Sequence, residues 1–227
     1  MSKKQPRVAA PKKLVYTYEA KTENQKKYLE AIDNNTIIAA IGPPGTGKTM
    51  LAIAKALDYL FTKNHNGGFK RIVLSRPAVE CAGEKLGALP GEIEDKISPF
   101  MFPIYDNMRQ LISKSELDAL IADGRIQLMP LAYARGNTFR HSFVIIDEAQ
   151  NCQVSQMKCM LTRLDDHSKI ILCGDIEQTD IKGKNGLSDA IERLAHISGF
   201  SIVEMNIDDI QRNDIVKEIV LAYRKNT

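Results

Sequence analysis

The chain has no tryptophan, and aromatic residues make up only 6% of its 227 residues. That scarcity argues against a stacking platform for single-stranded nucleic acid, which needs aromatics interleaved with basic side chains. Net charge is also small, +3 from 31 basic and 28 acidic residues, so charge balance identifies no partner. The four cysteines, Cys81, Cys152, Cys159 and Cys173, form no C-x-x-C pair and accompany no histidine pair. This argues against zinc and leaves reduced, idle thiols as the expectation. No apolar run reaches membrane-spanning length, and no secretory apolar region follows the basic start. A cytoplasmic protein with no membrane partner is expected, and the sequon at Asn34-x-Thr36 is read as chance. There is no internal repeat.

What remains is ordinary globular composition, 44% apolar and 26% charged, enough for one domain with a sizeable core. Residues 1–20 carry Lys3, Lys4, Arg7, Lys12 and Lys13. They are expected to form a basic, poorly ordered arm, either simply solvated or touching nucleic acid. Residues 21–227 then form a single domain.

Helix and strand patterns alternate from about residue 22. Residues 22–33 read as a helix whose start, Thr22-Glu-Asn-Gln25, has the form of a capping box. Six short apolar runs read as strands: 36–41, 71–75, 125–129, 142–147, 169–173 and 201–205. Helical spacing covers Met50 to Phe61, Val154 to Leu164 and Ile215 to Tyr223. Residues 93–122 read as helical segments interrupted near Pro99 and Pro103. Met157 and Met160 are read as core filler. The pattern implies an α/β fold, a mostly parallel sheet with helices on both faces. Ligands in such sheets sit at the carboxyl ends of the strands, where the motifs lie.

GPPGTGKT, from Gly42 through Pro43, Pro44, Gly45, Thr46, Gly47 and Lys48 to Thr49, follows one such strand, and Met50 continues into a helix. Its glycines let backbone N–H groups curl around phosphate oxygens at a positive helix end. Lys48 is expected on the β and γ phosphates and the Thr49 hydroxyl on Mg²⁺. SFVIIDEAQ puts two carboxylates at a strand tip. Asp147 is read as the Walker B metal residue and Glu148 as the group that orients or deprotonates water. In ILCGDIEQTD, Gln178 is a candidate for the γ phosphate or the lytic water, unless Gly174-Asp175 is only a turn. Gln25 has an amide that can pair with an adenine edge, although its place in the capping box favours a purely structural role. Phosphoryl transfer also calls for an arginine, and the candidates are Arg76, Arg135, Arg140, Arg163 and Arg212.

The tract RPAVE…GEKLG…LPGE (76–92), with ARGNTF (134–139), VIIDEAQN (144–151), QMKCMLTRL (156–164) and GDIEQTD (174–180), resembles the PhoH-like family of P-loop ATPases. Cys81 stands as one extra residue in the first tract. The resemblance runs from about Gln25 to Arg212. It implies a RecA-like core similar to the first half of superfamily 1 helicases, with Gln25 reading adenine after all. It also implies Gln178 in a γ-phosphate-sensing element, and Arg212 and Arg76 contacting phosphate.

Together these readings give an Mg²⁺-dependent ATP hydrolase. A chain of 227 residues holds one RecA-like lobe, so turnover is expected to need an arginine from a neighbouring subunit. The expected assembly is a ring homo-oligomer, a hexamer by resemblance. RNA or single-stranded DNA is the expected polymer, threaded past loop lysines such as Lys85, Lys182 and Lys184. A bare ATPase core without a nuclease or KH appendage is expected. The alternatives are a nucleotide-gated scaffold with little turnover, a P-loop kinase and, least favoured, a nuclease.

Overall fold

Six short apolar segments become the six strands of one sheet: β1 Ile37–Ile41, β2 Arg71–Arg76, β3 Ile126–Pro130, β4 Ser142–Ile146, β5 Lys169–Gly174 and β6 Phe200–Glu204. The computed structural model describes residues 18–61, 68–77, 93–131 and 136–224. Most of the basic arm, the tract 78–92 with Cys81 and Lys85, and Arg135 lie outside the described residues. Every pairing is parallel, and the order across the sheet is β3-β2-β4-β5-β1-β6.

The central strands explain their own composition. All of β4 and β5 is buried, as expected of parallel strands covered on both faces, so they read as continuous apolar runs rather than alternating ones. One face is covered by α1 (Glu23–Asn34), α2 (Lys48–Phe61), α3 (Ile93–Arg109) and α4 (Lys114–Ala122). Tyr28, Ile32, Leu51, Leu57, Ile104 and Phe143 pack together there. The other face takes α5 (Val154–Leu161) and α6 (Gly186–Leu194), with Met157, Met160, Val144, Leu172 and Leu187 in contact. Met157 and Met160 are thus core residues, as their spacing suggested.

Two helices differ from the sequence reading. The segment near Pro99 and Pro103 is not interrupted: α3 runs unbroken through both prolines, and the chain turns only at 110–113. Each proline removes one intrahelical hydrogen bond and would cost roughly 3 kcal/mol in isolation. The apolar stripe Met101, Ile104 and Met108 is almost wholly buried against the core, which offsets that cost, and Pro103 lies on the open side. Helix α6 is additional; Asn185 caps it, its side chain accepting from the Ser188 N–H at 2.9 Å.

Helix α7 (Asp214–Arg224) ends the described chain. None of its residues through Tyr223 is buried, and Ile215, Ile219 and Tyr223 form an exposed stripe four residues apart.

Candidate nucleotide site

The sheet order creates an opening at its carboxyl edge. The chain leaves β1 toward one helical layer, through α2, but leaves β4 and β5 toward the other. A crevice therefore opens at their tips, the place where α/β sheets bind ligands. The cleft there has a volume of about 640 Å³.

The loop from 42 to 47 forms its floor. Gly42 leaves β1 with φ +140°, and its N–H donates to the Gly174 carbonyl of β5 (3.2 Å). A Cβ at Gly42 would sit 2.2 Å from the Met205 carbonyl oxygen, so no other residue fits this approach. Thr46 is buried, its hydroxyl donating to the Pro43 carbonyl (2.9 Å). The Lys48 ammonium donates to the carbonyls of Gly42 (2.7 Å) and Pro43 (2.8 Å) and to the Thr46 hydroxyl (3.2 Å). Burial pushes its pKa down, while Cys173, Asp175, Glu148 and Asp147 oppose that shift.

The second motif arrives from β4. Asp147 stands one residue past the strand and extends its ladder, donating its N–H to the Ser75 carbonyl (2.9 Å). Its carboxylate accepts from the Thr49 hydroxyl at 2.6 Å, across 98 positions of sequence. Burial raises the Asp147 pKa and Glu148 adds to the rise, while the Thr49 hydroxyl and Arg76 counter it. Thr49 and Asp147 are therefore an adjacent hydroxyl and carboxylate, donors suited to a hard cation. The Arg76 guanidinium spans both acids, 3.9 Å from Asp147 and 3.5 Å from Glu148. Glu148 has left-handed backbone (φ 51°, ψ 42°), an uncommon conformation for a side chain of its size and one that concentrates at functional sites.

Gln178, in the loop after β5, also lines the cleft, as do Lys48, Thr49, Met50, Arg76, Glu148 and Arg212. Arg212 arrives from the segment after β6: the Gln211 N–H donates to the Gly45 carbonyl (2.9 Å), and Arg212 Cδ lies 3.0 Å from where a Gly45 Cβ would stand. Two candidate arginines, Arg76 and Arg212, thus stand on the chain's own cleft wall. Arg140 instead pairs with Asp165 near the opposite edge of the sheet, and Arg163 does not line the cleft. Lys184 is held by Asp189 (3.2 Å) and Glu192.

Gln25 is fully buried and stands behind the loop rather than on the cleft wall. Its amide donates to the Thr46 carbonyl (3.1 Å) and accepts from the Lys21 N–H (2.7 Å). Thr22 does cap α1, accepting from the Gln25 N–H (3.2 Å), but Gln25 does not reach back to the Thr22 N–H and so closes no capping box. One amide N–H and one oxygen lone pair of Gln25 remain beyond these bonds.

Several wall residues escaped the sequence reading: Tyr18, Asp106, Asn107, Gln110 and Cys173. Asp106 and Asn107 lie on α3 away from its buried stripe, and Gln110 follows in the turn that ends the helix. That amphipathic pattern announces a polar face, but nothing in it says the face borders a cleft. Among the described residues no group of three His, Cys, Asp or Glu side chains is placed to hold a metal ion by itself. The described cysteines Cys152, Cys159 and Cys173 are free, and burial pushes the Cys152 and Cys173 thiols up to about 12. No helix among the described residues is long and apolar enough to cross a membrane.

A parallel sheet with one strand between the loop-bearing β1 and the acid-bearing β4 has the layout of an α/β, RecA-like P-loop core. Within that class the chain belongs to the PhoH-like protein family, whose model matches residues 17–224. A PhoH-like protein of Mycobacterium leprae is 46% identical over 209 residues, covering 91% of this chain and 58% of that protein. One from Bacillus subtilis is 44% identical, covering 90% of this chain and 63% of that protein, and protein PhoH of Escherichia coli K12 is 38% identical, covering 90% and 57%. The chain thus spans less than two thirds of the length of these relatives. Similar solved structures include the Pyrococcus furiosus Hef helicase domain (13% identity, TM-score 0.47, 82% of this chain and 38% of that one). Another is the large terminase of a thermophilic bacteriophage (12% identity, TM-score 0.49, 87% and 49%).

Proposed function

We propose that the chain is an Mg²⁺-dependent ATP hydrolase core that works as a ring homo-oligomer on RNA or single-stranded DNA. The observation that carries the hydrolase reading is the 2.6 Å bond between Thr49 and Asp147, which unites the glycine loop with the acidic strand tip in one cleft. The donors fit a magnesium nucleotide: a hydroxyl and a carboxylate in contact, loop amides at a helix start, and a lysine beside them.

In this reading the amides of Gly45 to Thr49 and the Lys48 ammonium hold the β and γ phosphates, and Met50 follows at the helix start. Thr49 and Asp147 hold Mg²⁺, which supplies charge neutralisation for the triphosphate. Glu148 accepts a proton from water as its oxygen attacks the γ phosphorus and the bond to the β-phosphate oxygen breaks. ADP leaves with that bonding pair, and free phosphate is the second product. Gln178 senses the γ phosphate, and Arg76 and Arg212 meet the charge that develops on it. By family resemblance Gln25 is assigned the adenine edge through its spare amide capacity, which its burial behind Thr46 requires the nucleotide-bound loop to uncover. The exposed stripe of α7 supports a subunit contact, because an amphipathic helix with none of its residues through Tyr223 buried gains from being covered. The polymer rests on family resemblance, with exposed Lys182 as one loop contact. Salt-sensitive binding is expected. A cytoplasmic location belongs to the same proposal.

Steady-state phosphate release, with and without RNA or single-stranded DNA, on protein of known mass tests the reading. Glu148→Gln is expected to keep ATP bound and to lower turnover at least about 100-fold. Equal turnover by wild type and variant would mean that Glu148 does no chemistry. No phosphate from wild type under any condition would leave the nucleotide-gated scaffold.

A further inference from the structure

Gln150 is almost completely buried, 2% exposed, and lines no part of the cleft. Its carboxamide nevertheless reaches two functional elements at once. Nε2 donates to the Glu148 carboxylate at 2.6 Å, and Oε1 accepts from the Asp175 backbone N–H at 3.1 Å. The chemistry fixes this orientation. A backbone N–H can only donate and an ionised carboxylate can only accept, so the amide oxygen must face Asp175 and the nitrogen Glu148.

The surroundings hold the group in place. Left-handed backbone at Glu148 turns the chain into a short 3-10 turn, Ala149–Asn151. A Cβ on Gly174 would lie 2.7 Å from the Gln150 oxygen, so β5 closes tightly over the amide. The same turn is latched to the loop carrying Gln178 at two further points: the Thr179 hydroxyl donates to the Gln150 carbonyl (3.0 Å), and the Asp180 N–H donates to the Asn151 side chain (2.9 Å).

We infer that Gln150 is a positioning residue that aims the Glu148 carboxylate and makes it move as one unit with the Gln178 loop. The inference rests on the hydrolase reading of the cleft. Without the amide, the Glu148 carboxylate is left, among the described contacts, with the 3.5 Å pairing of its other oxygen to Arg76, which draws it toward the guanidinium. The base is then displaced, while the loop and metal residues that bind nucleotide are untouched. A buried amide that donates to a carboxylate and accepts from an N–H is matched by no residue of similar length: methionine loses both bonds, and glutamate keeps only the acceptor.

The test compares Gln150→Met and Gln150→Glu with wild type by steady-state phosphate release and by titration with a fluorescent ADP analogue. Both variants are expected to lose about 10- to 100-fold in kcat, the scale of a misplaced reacting group. KM and ADP affinity should stay within about twofold, the signature of an interaction that matters only to the chemical step. In a Glu148→Gln background, adding Gln150→Met should change residual turnover by less than about twofold, because the two side chains act as one unit. Thr179→Val, half-buried and outside the cleft, loosens the latch without emptying the core. It should lower kcat several-fold at unchanged KM, and it decides the matter should Gln150→Met not fold. Wild-type kcat in these variants overturns the inference, as does loss through KM alone or full additivity with Glu148→Gln. Absence of phosphate release from wild type would instead defeat the hydrolase reading.

Discussion

Lys48 and Lys169 stand at opposite ends of the same parallel sheet, and each has lost much of its water. Lys48 follows β1 at the carboxyl edge and is surrounded by oxygens, two carbonyls and a hydroxyl within 3.2 Å. Lys169 opens β5 at the amino edge, where its ammonium sits 5.7 Å from the Tyr59 ring centroid. Burial lowers its pKa to about 8, Lys55 pushes the same way, and Asp33 resists. Asp33 is already committed, accepting from Lys55 (2.9 Å) and the Tyr59 hydroxyl (2.7 Å). The cleft end keeps a lysine dressed with acceptors that phosphate oxygens could replace. The far end tolerates one whose charge is a burden. Burial alone therefore does not distinguish the two lysines; the company of carbonyls at a strand's carboxyl tip does, and it is this that supports the phosphate role proposed for Lys48.

Methionine at each position should pull the two ends apart. Lys48→Met has the largest expected effect, phosphate release falling at least about 100-fold as the electrostatic contact to phosphate disappears. Its thermal midpoint without nucleotide should move by only a few degrees. A Lys48→Met protein that hydrolyses normally would erase the distinction between the ends.

Arg212→Ala sharpens the cleft side. Loss of an arginine at developing phosphate charge should cost about 10³-fold in turnover. Arg212 lies against Gly45 of its own chain, so mixing this variant with Glu148→Gln subunits should restore nothing. Recovery of turnover in the mixture would show that the arginine acts across subunits.

The smallest effect belongs to the far end. The folded-state pKa of Lys169 is depressed, so its contribution to stability is fully present above the unfolded value of about 10.4 and is lost as pH falls through about 8. Lys169→Met should therefore be more stable than wild type at pH 7. A gain of roughly 1–2 kcal/mol is expected, less than the full shift because the ammonium retains some solvent and Asp33. The gap should close as pH rises from about 8 to 10.4 in paired denaturation curves, with turnover unchanged. A gap that widens with pH would reverse the assignment.

The strands were legible because parallel strands buried on both faces need unbroken apolar runs, and Phe143-Val-Ile-Ile146 and Ile170-Ile-Leu-Cys173 have them. Their order was not: no local signal says that β5 inserts between β1 and β4. The prolines of α3 misled because local propensity yields to tertiary burial, here of Met101, Ile104 and Met108. Helix α6 did carry signals, an Asn185 cap followed by Leu187, Ala190 and Leu194, but at nine residues it is short and rich in polar positions. At the cleft, loop and acid residues could be read because each motif's chemistry is contiguous in sequence. The α3 wall, the place of Gln25 behind Thr46 and the bridge through Gln150 depend on side-chain directions set only by packing.

The segment that leads into α7 is tied to the outer rim of the glycine loop. Met205 donates to the Ile41 carbonyl (2.8 Å) and Gln211 to that of Gly45 (2.9 Å), while Gly42 packs beneath the Met205 carbonyl. The helix is thereby anchored through the segment before it to the glycine loop. The helix start and the loop share this anchor three residues before Asp214, so a displacement of Gly45 is expected to carry the start of α7 with it.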